Sequence, residues 1–112
     1  MSQKATDVVE AAFQHYRSQD REAALDLYAD DFSFTSPRDD HLDKAAFFER
    51  CFPTADRMTE QRLLHVTPAD EELVLVLYEY ELTTGGRYRN MEAIRVRDGL
   101  IREVQVFFGG AV

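Results

Sequence analysis

Glu92 is the side chain whose type and place most invite chemistry. From Arg87 to Arg97 the chain alternates. Tyr88, Asn90, Glu92, Ile94 and Val96 share one face of a predicted strand, while Arg87, Arg89, Arg95 and Arg97 share the other with Met91 and Ala93 between them. The arginines mark the second face as the wetter one, so the first is the core face. A carboxylate there is costly unless it is paired, hydrogen-bonded or protonated. A carboxyl in an apolar pocket has its pKa raised, which suits an acid or base working near neutral pH. The plainer alternative is a structural carboxylate, hydrogen-bonded by a tyrosine or paired with an arginine such as Arg102. Asn90 is placed to orient Glu92 or a ligand, or else to satisfy backbone groups at an open rim. Tyr78, Tyr80 and Tyr88 can offer hydroxyls to a ligand or simply pack on the sheet.

The other reactive side chains carry weaker signals. Ser36 has no base beside it in sequence, and an unactivated hydroxyl is a poor nucleophile. His15, His41 and His65 fall on a helix, a loop and a strand, without the spacing of metal ligands, so no metal or cofactor is expected. His41 belongs to Arg38-Asp39-Asp40-His41, read as a solvated turn near a pocket mouth. Cys51, among the aromatics of a helix, is read as a small buried hydrophobe.

The elements that must position these residues can be traced along the chain. Asp7 is expected to cap a first helix with Glu10 as its capping-box partner, and Val9, Ala12, Phe13 and Tyr16 then recur at helical spacing. Asp20 is expected to cap a second helix with a stripe of Ala24, Leu27 and Tyr28, ending at Asp30-Asp31. Phe32 to Ser36 alternates as a short strand stopped by Pro37. Asp43 caps a predicted third helix that turns Ala46, Phe47 and Cys51 inward, with Ala45 and Phe48 as further inward candidates, and Pro53 ends it. From Glu60 the period changes to two. Gln61 to Thr67 and Leu73 to Thr83 read as strands, and Gly85-Gly86 turns the second into Arg87 to Arg97. Asp98-Gly99 is a strong two-residue hairpin signal leading into Leu100 to Phe108. Along Leu73 to Thr83, Val74, Val76, Tyr78, Tyr80 and Leu82 face in, and Glu79 and Glu81 face out. On the last strand Val104, Val106 and Phe108 face in. Helices followed by an antiparallel meander argue for an α+β fold.

Composition bounds the function. The chain has 112 residues, which suits a single domain over 1–112. Hydrophobic residues make up 45%, and eight Phe and five Tyr supply an aromatic core. The net charge of −8 disfavours nucleic acid and anionic membranes as partners, since both are bound by clustered Lys and Arg. One cysteine allows no internal disulfide, and no apolar run approaches a membrane span, so a cytoplasmic protein is expected.

Several stretches resemble a known family. Ser18-Gln19-Asp20 with Ala24-Leu25-Asp26-Leu27-Tyr28-Ala29-Asp30-Asp31-Phe32 is similar to its helix-to-strand passage, and Phe34-Thr35-Ser36-Pro37 to its first strand. Glu92-Ala93-Ile94-Arg95-Val96-Arg97-Asp98-Gly99-Leu100-Ile101 is similar to its late hairpin, and Val106-Phe107-Phe108-Gly109 to its closing strand. The chain thus resembles nuclear transport factor 2, ketosteroid isomerase and the SnoaL-like polyketide cyclases. That resemblance implies a cone-shaped α+β barrel, three N-terminal helices packed on a curved, mixed, mainly antiparallel sheet around a deep apolar pocket. The steroid isomerases use an aspartate base, a tyrosine and a protonated aspartic acid. Here the base position is Ser36, the helix-one tyrosine position falls near Ala12, and only the second acid has a counterpart, Glu92. The cyclases and epoxide hydrolases of this fold also rely on pocket acids, and Glu92 is the one convincing inward acid in this chain.

The expectation is therefore a small, largely apolar ligand in a cone-shaped pocket. Its wall would comprise Phe13, Tyr16, Phe32, Phe34, Ser36, Tyr78, Tyr80, Tyr88, Asn90, Val104, Val106 and Phe108, with Glu92 as its acid or base. Isomerase, cyclase or hydratase chemistry is the candidate reaction. Non-catalytic binding and a purely structural dimerisation module are the alternatives. A homodimer through the outer sheet face is expected, on Leu73, Leu75, Leu77 and Met91.

Overall fold

The computed structural model describes residues 2–112. Helix α1 runs Ser2–Ser18 and α2 Arg21–Leu25. They are followed by strands β1 (Tyr28–Ser36) and β2 (Asp39–Leu42), helix α3 (Lys44–Arg50) and a 3₁₀ turn (Phe52–Arg57). Strands β3 (Met58–Pro68), β4 (Leu73–Leu82), β5 (Arg87–Arg97) and β6 (Leu100–Ala111) complete the chain. The strands form one sheet in the order β2-β1-β6-β5-β4-β3. Among the described residues only β1 and β6 pair in parallel; the other neighbours are antiparallel. The sheet leaves β2 and β3 as free edges, so it is open rather than a closed barrel, with the three helices lying against its inner face.

Local chemistry explains most boundaries. The α1 helix already begins at Ser2, so Asp7 lies inside it rather than capping it. It ends where Gln19 takes a positive φ of 58°. There the Asp20 N–H donates back to the His15 carbonyl at 3.0 Å, a six-to-one bond that satisfies an end carbonyl. The Gln19 side chain also donates to the carbonyls of Tyr16 and Phe52, both at 2.7 Å, tying α1 to the 3₁₀ turn. Asp20 and Asp43 cap α2 and α3, accepting from the N–H groups of Ala23 at 3.2 Å and Ala46 at 2.9 Å. Pro53 opens the 3₁₀ turn, where its missing N–H costs nothing. Asp98 and Gly99 both have positive φ, 56° and 76°, as a tight hairpin demands.

Three expectations are corrected. The second helix stops at Leu25, because Tyr28 already pairs with Ile101 on β6 and the Ile101 N–H donates to the Leu27 carbonyl at 2.7 Å. Sheet pairing overrides the helical spacing of Ala24, Leu27 and Tyr28. The segment after Pro37 is a strand rather than a solvated turn. The Ser36 hydroxyl accepts from the N–H groups of Arg38 and Asp39 at 3.1 and 3.2 Å, folding the chain back so that Leu42 lies opposite Phe34. Glu79 does face outward, yet it is buried, covered by Arg62, Arg87 and Arg89.

The core lies between the inner sheet face and the helices. Val9 and Ala12 of α1 pack with Val74, Val76, Ile94, Val96, Ile101 and Val104 of the sheet. Tyr28, Phe32, Phe47 and Phe48 form a second centre beneath α3, with ring centroids 4.9–5.4 Å apart. Of α3, Phe47 and Phe48 are buried, Ala46 and Cys51 half-buried, and Ala45 exposed. Among the described residues no helix is long and apolar enough to cross a membrane.

Candidate functional site

Sheet register brings the candidate polar residues together. Tyr78 of β4, Asn90 of β5 and Phe108 of β6 sit opposite one another. One row deeper lie Val76, Glu92 and Val106, and below them Val74, Ile94 and Val104. Glu92 is thus the single charged member of an apolar patch. The inner face opens into a cavity of about 780 Å³, closed on the helix side by Ala12, Phe13 and Tyr16 and on the α3 side by Phe47, Cys51 and Phe52.

A chain of hydrogen bonds ends on Glu92. The Gly109 N–H donates to Asn90 Oδ1 at 3.4 Å, Asn90 Nδ2 donates to Tyr78 Oη at 3.3 Å, and Tyr78 Oη donates to Glu92 Oε2 at 2.8 Å. Gly109 is required here: a Cβ would stand 2.4 Å from the Arg89 carbonyl. Among the described residues the Tyr78 hydroxyl is the one hydrogen-bond donor to the Glu92 carboxyl, and no cation pairs with it. Burial pushes the Glu92 carboxyl up from 4.5 to about 7, with the Tyr78 hydrogen bond opposing that rise. Glu92 is half-buried, and what remains exposed of it is cavity wall, so the side chain is poorly solvated. Burial, the nearby Glu92 and the proton Tyr78 gives to it push the Tyr78 hydroxyl up, so it remains a donor. Arg102 pairs with Asp31 at 2.9 Å, away from Glu92.

Of the residues predicted for the wall, Phe13, Tyr16, Phe34, Ser36, Tyr78, Tyr80, Tyr88, Asn90, Val104, Val106 and Phe108 line the cavity together with Glu92. Phe32 does not. It shares the Phe34 face of β1 but lies deeper, edge-on to Tyr28 and Phe47, and is only 2% exposed. Phe108 is half exposed at the rim. Tyr80 and Tyr88 stack at 5.6 Å. The Tyr16 hydroxyl donates to Thr54 Oγ1 at 2.8 Å, since the single Thr54 hydroxyl proton goes to the Cys51 carbonyl at 2.7 Å.

Other wall residues went unread in the sequence. Tyr28 lines the cavity, its hydroxyl has no hydrogen-bond partner among the described residues, and burial pushes its pKa up. It was hidden because its spacing fits a helix. Asp39 brings a second carboxyl to the wall, so Glu92 is not the only acid there. Its Oδ2 accepts from Ser36 at 3.3 Å, and the Ser-Pro turn was the local signal that could have found it. Arg38, Arg50 and Arg57 come from a turn and from the ends of α3 and the 3₁₀ turn, and no local pattern groups them. Burial raises the Cys51 thiol to about 11, which makes it a poor nucleophile. Among the described residues, no three His, Cys, Asp or Glu side chains gather as metal ligands.

An open six-stranded mixed sheet with three helices and a cavity on its inner face defines the cone-shaped α+β class. Residues 9–104 match the SnoaL-like domain, and the chain belongs to that family. A protein from Kribbella flavida DSM 17836 has the same fold, with a TM-score of 0.86 at 22% identity over 96% of this chain and 88% of that one. A candidate polyketide cyclase from Xanthomonas campestris pv. campestris gives 0.76 at 22% identity, over 96% and 92% of the two chains. An LEH-like epoxide hydrolase of M. tuberculosis gives 0.77 at 16% identity, over 96% and 84%. At such identities these likenesses speak to the fold alone. No curated protein sequence matches the chain.

Proposed function

We propose that this SnoaL-like chain binds a small, mainly apolar molecule in its cavity and that Glu92 exchanges a proton with it. The observation that carries this reading is a cavity-facing carboxyl with one neutral donor, apolar neighbours and a pKa of about 7. Such a group is present in both protonation states near neutrality, the condition for general acid or base work. Tyr78 orients it and Asn90 orients Tyr78. The free hydroxyl of Tyr28 is a further donor for a polar atom of the ligand. Two structural neighbours are described as a candidate polyketide cyclase and an LEH-like epoxide hydrolase, and proton exchange at Glu92 is compatible with reactions of those classes. Steroid-isomerase chemistry is not proposed, because Ser36 stands at the base position.

The test is a thermal-shift screen of small apolar compounds, repeated on Glu92→Gln. A stabilising compound whose effect disappears in the variant, with turnover falling at least about a hundredfold, fits general acid/base catalysis. A compound that binds and turns over equally well in both sinks the reading. Binding abolished without any turnover in the parent chain favours a non-catalytic binding protein.

Self-association through the outer sheet face is part of the proposal. Leu77, Met91 and Phe107 sit opposite one another in a row across β4, β5 and β6, with Met91 39% and Phe107 54% exposed. Exposed apolar rows of this kind are interface material. Light scattering is expected to give a dimer, and Met91→Lys with Phe107→Glu a monomer. A monomeric parent chain at micromolar concentration refutes it. The acidic balance and single free thiol are consistent with a cytosolic setting, which cell fractionation checks.

A further inference from the structure

The arginines divide into two groups. Arg62, Arg87, Arg89, Arg95, Arg97 and Arg102 each pair with a carboxylate. Arg17 donates to the Gln61 carbonyl at 2.7 Å, and Arg21 lies over the Phe48 ring at 5.7 Å. The rest are Arg38, Arg50 and Arg57. Among the described residues none of these three has a carboxylate within 4 Å or a side-chain hydrogen bond, and all three line the cavity. In a chain of net charge −8 with 21 acidic residues, partners for a guanidinium are plentiful. The unpaired ones nevertheless all stand on the wall of one cavity, come from three separate elements, and are all exposed. Among the described residues, the charged groups on the cavity wall are these three guanidiniums against two carboxyls, Glu92 and Asp39. Asp39 is turned toward the Ser36 hydroxyl at 3.3 Å.

From this arrangement we infer that the molecule taken by the cavity is an amphipathic acid: its anionic group meets Arg38, Arg50 and Arg57 at the exposed rim, and its apolar body extends inward toward Glu92. The inference rests on the ligand-binding reading above and adds the ligand's charge and its direction. Guanidinium groups suit carboxylate and phosphate, which they hold through paired hydrogen bonds. The opposite orientation would bury the anion beside Glu92 in an apolar surround with no cation to compensate it. The overall negative charge of the chain does not prevent binding, because salt screens it beyond roughly 8 Å at physiological ionic strength while rim contacts are direct.

The experiment compares two fluorescent probes with the same rings, anilinonaphthalene sulfonate and its uncharged counterpart N-phenylnaphthylamine, on the full chain. The anionic probe is expected to bind about tenfold more tightly at low salt. In the triple variant Arg38→Ala, Arg50→Ala, Arg57→Ala that preference should fall to near one, while the neutral probe is unaffected. Arg97→Ala, whose partner Glu72 lies off the cavity, should leave the preference intact. Triple replacement by lysine should restore part of it. Displacement by naphthylacetate or by naphthyl phosphate tells which acidic group the rim prefers. Equal affinity for the two probes, or a preference indifferent to the three arginines, overturns the inference while leaving the cavity reading standing. If neither probe responds to Ala12→Phe, which fills the cavity wall, the cavity is not the site and both readings fall.

Discussion

Two glutamates on neighbouring strands of one sheet meet opposite fates. Glu79, on the outer face of β4, is 5% exposed, yet Arg62, Arg87 and Arg89 approach its carboxylate at 2.9, 3.1 and 2.9 Å. Hydrogen bonds from Arg89 and then Arg87 hold its carboxyl below the usual range. Glu92, on the inner face of β5, has the neutral Tyr78 as its donor and is pushed up to about 7 by burial. Coverage alone therefore does not decide the charge of a carboxyl; the groups that replace water do. Where arginines replace it, the anion is fixed and joins β3, β4 and β5. Where valines and one phenol replace it, the proton is left free to move. The outer glutamate serves the architecture, and the inner one has the raised pKa that the proposed proton exchange requires.

The largest expected effect is at Glu92. Its folded pKa is raised, so its contribution to stability is fully present below about 4.5 and is lost as pH rises through about 7. The full swing is up to about 3 kcal/mol. Glu92→Gln removes this swing, and urea unfolding at mildly acid and mildly alkaline pH should then give a flatter stability profile. An unchanged profile would mean that Glu92 is not held in a poorly solvated place. Glu79→Gln should act with the opposite sign. Its folded pKa is lowered, so its contribution is present above 4.5 and lost as pH falls through the lowered value. The variant should melt lower at neutral pH, most clearly at low salt, and should lose less stability on acidification than the parent. The effect should be smaller than at Glu92, because the three arginines are 40–57% exposed and water already screens the pairs. A variant with unchanged melting temperature would show the cluster to be ornamental.

The inner half of this contrast was legible in the sequence and the outer half was not. Strict alternation from Tyr88 to Val96 placed Glu92 inside, and the Asp98-Gly99 turn fixed the strand that follows. Counting outward from the Gly85-Gly86 turn sets Tyr80 opposite Tyr88 and Tyr78 opposite Asn90, so the hydroxyl at Glu92 was within reach of register reasoning. Glu79 read only as an outward-facing residue, because its cover comes partly from Arg62 on β3, in a pairing with a register shift that no local pattern reveals. The β2 strand escaped because a polar edge strand has no apolar alternation, and a Ser36 turn rather than burial folds it back. Tyr28 escaped because only its distant partner Ile101 distinguishes strand from helix. The arginine rim is assembled from three separate elements and has no sequence signature.

Two smaller perturbations sharpen the comparison by probing redundancy. Glu92 relies on one hydrogen-bond donor, so Tyr78→Phe should raise its pKa further, by about one unit for a hydrogen bond worth roughly 1.5 kcal/mol. The carboxyl carbon resonance of Glu92, followed by NMR across pH, reads this directly. A titration that does not move would mean that Tyr78 packs against the carboxyl without stabilising its charge. Arg62→Ala should have the least effect of all. Arg62 is the most exposed of the three guanidiniums, at 57%, and Arg89 and Arg87 remain to hold the carboxyl. The Glu79 titration should therefore stay below the usual carboxylate range, with hardly any change in melting temperature. If removing Arg62 instead released Glu79 as fully as losing Tyr78 releases Glu92, the outer cluster would be one cooperative unit. The contrast between a redundant structural anion and a singly held, mobile proton would then no longer stand.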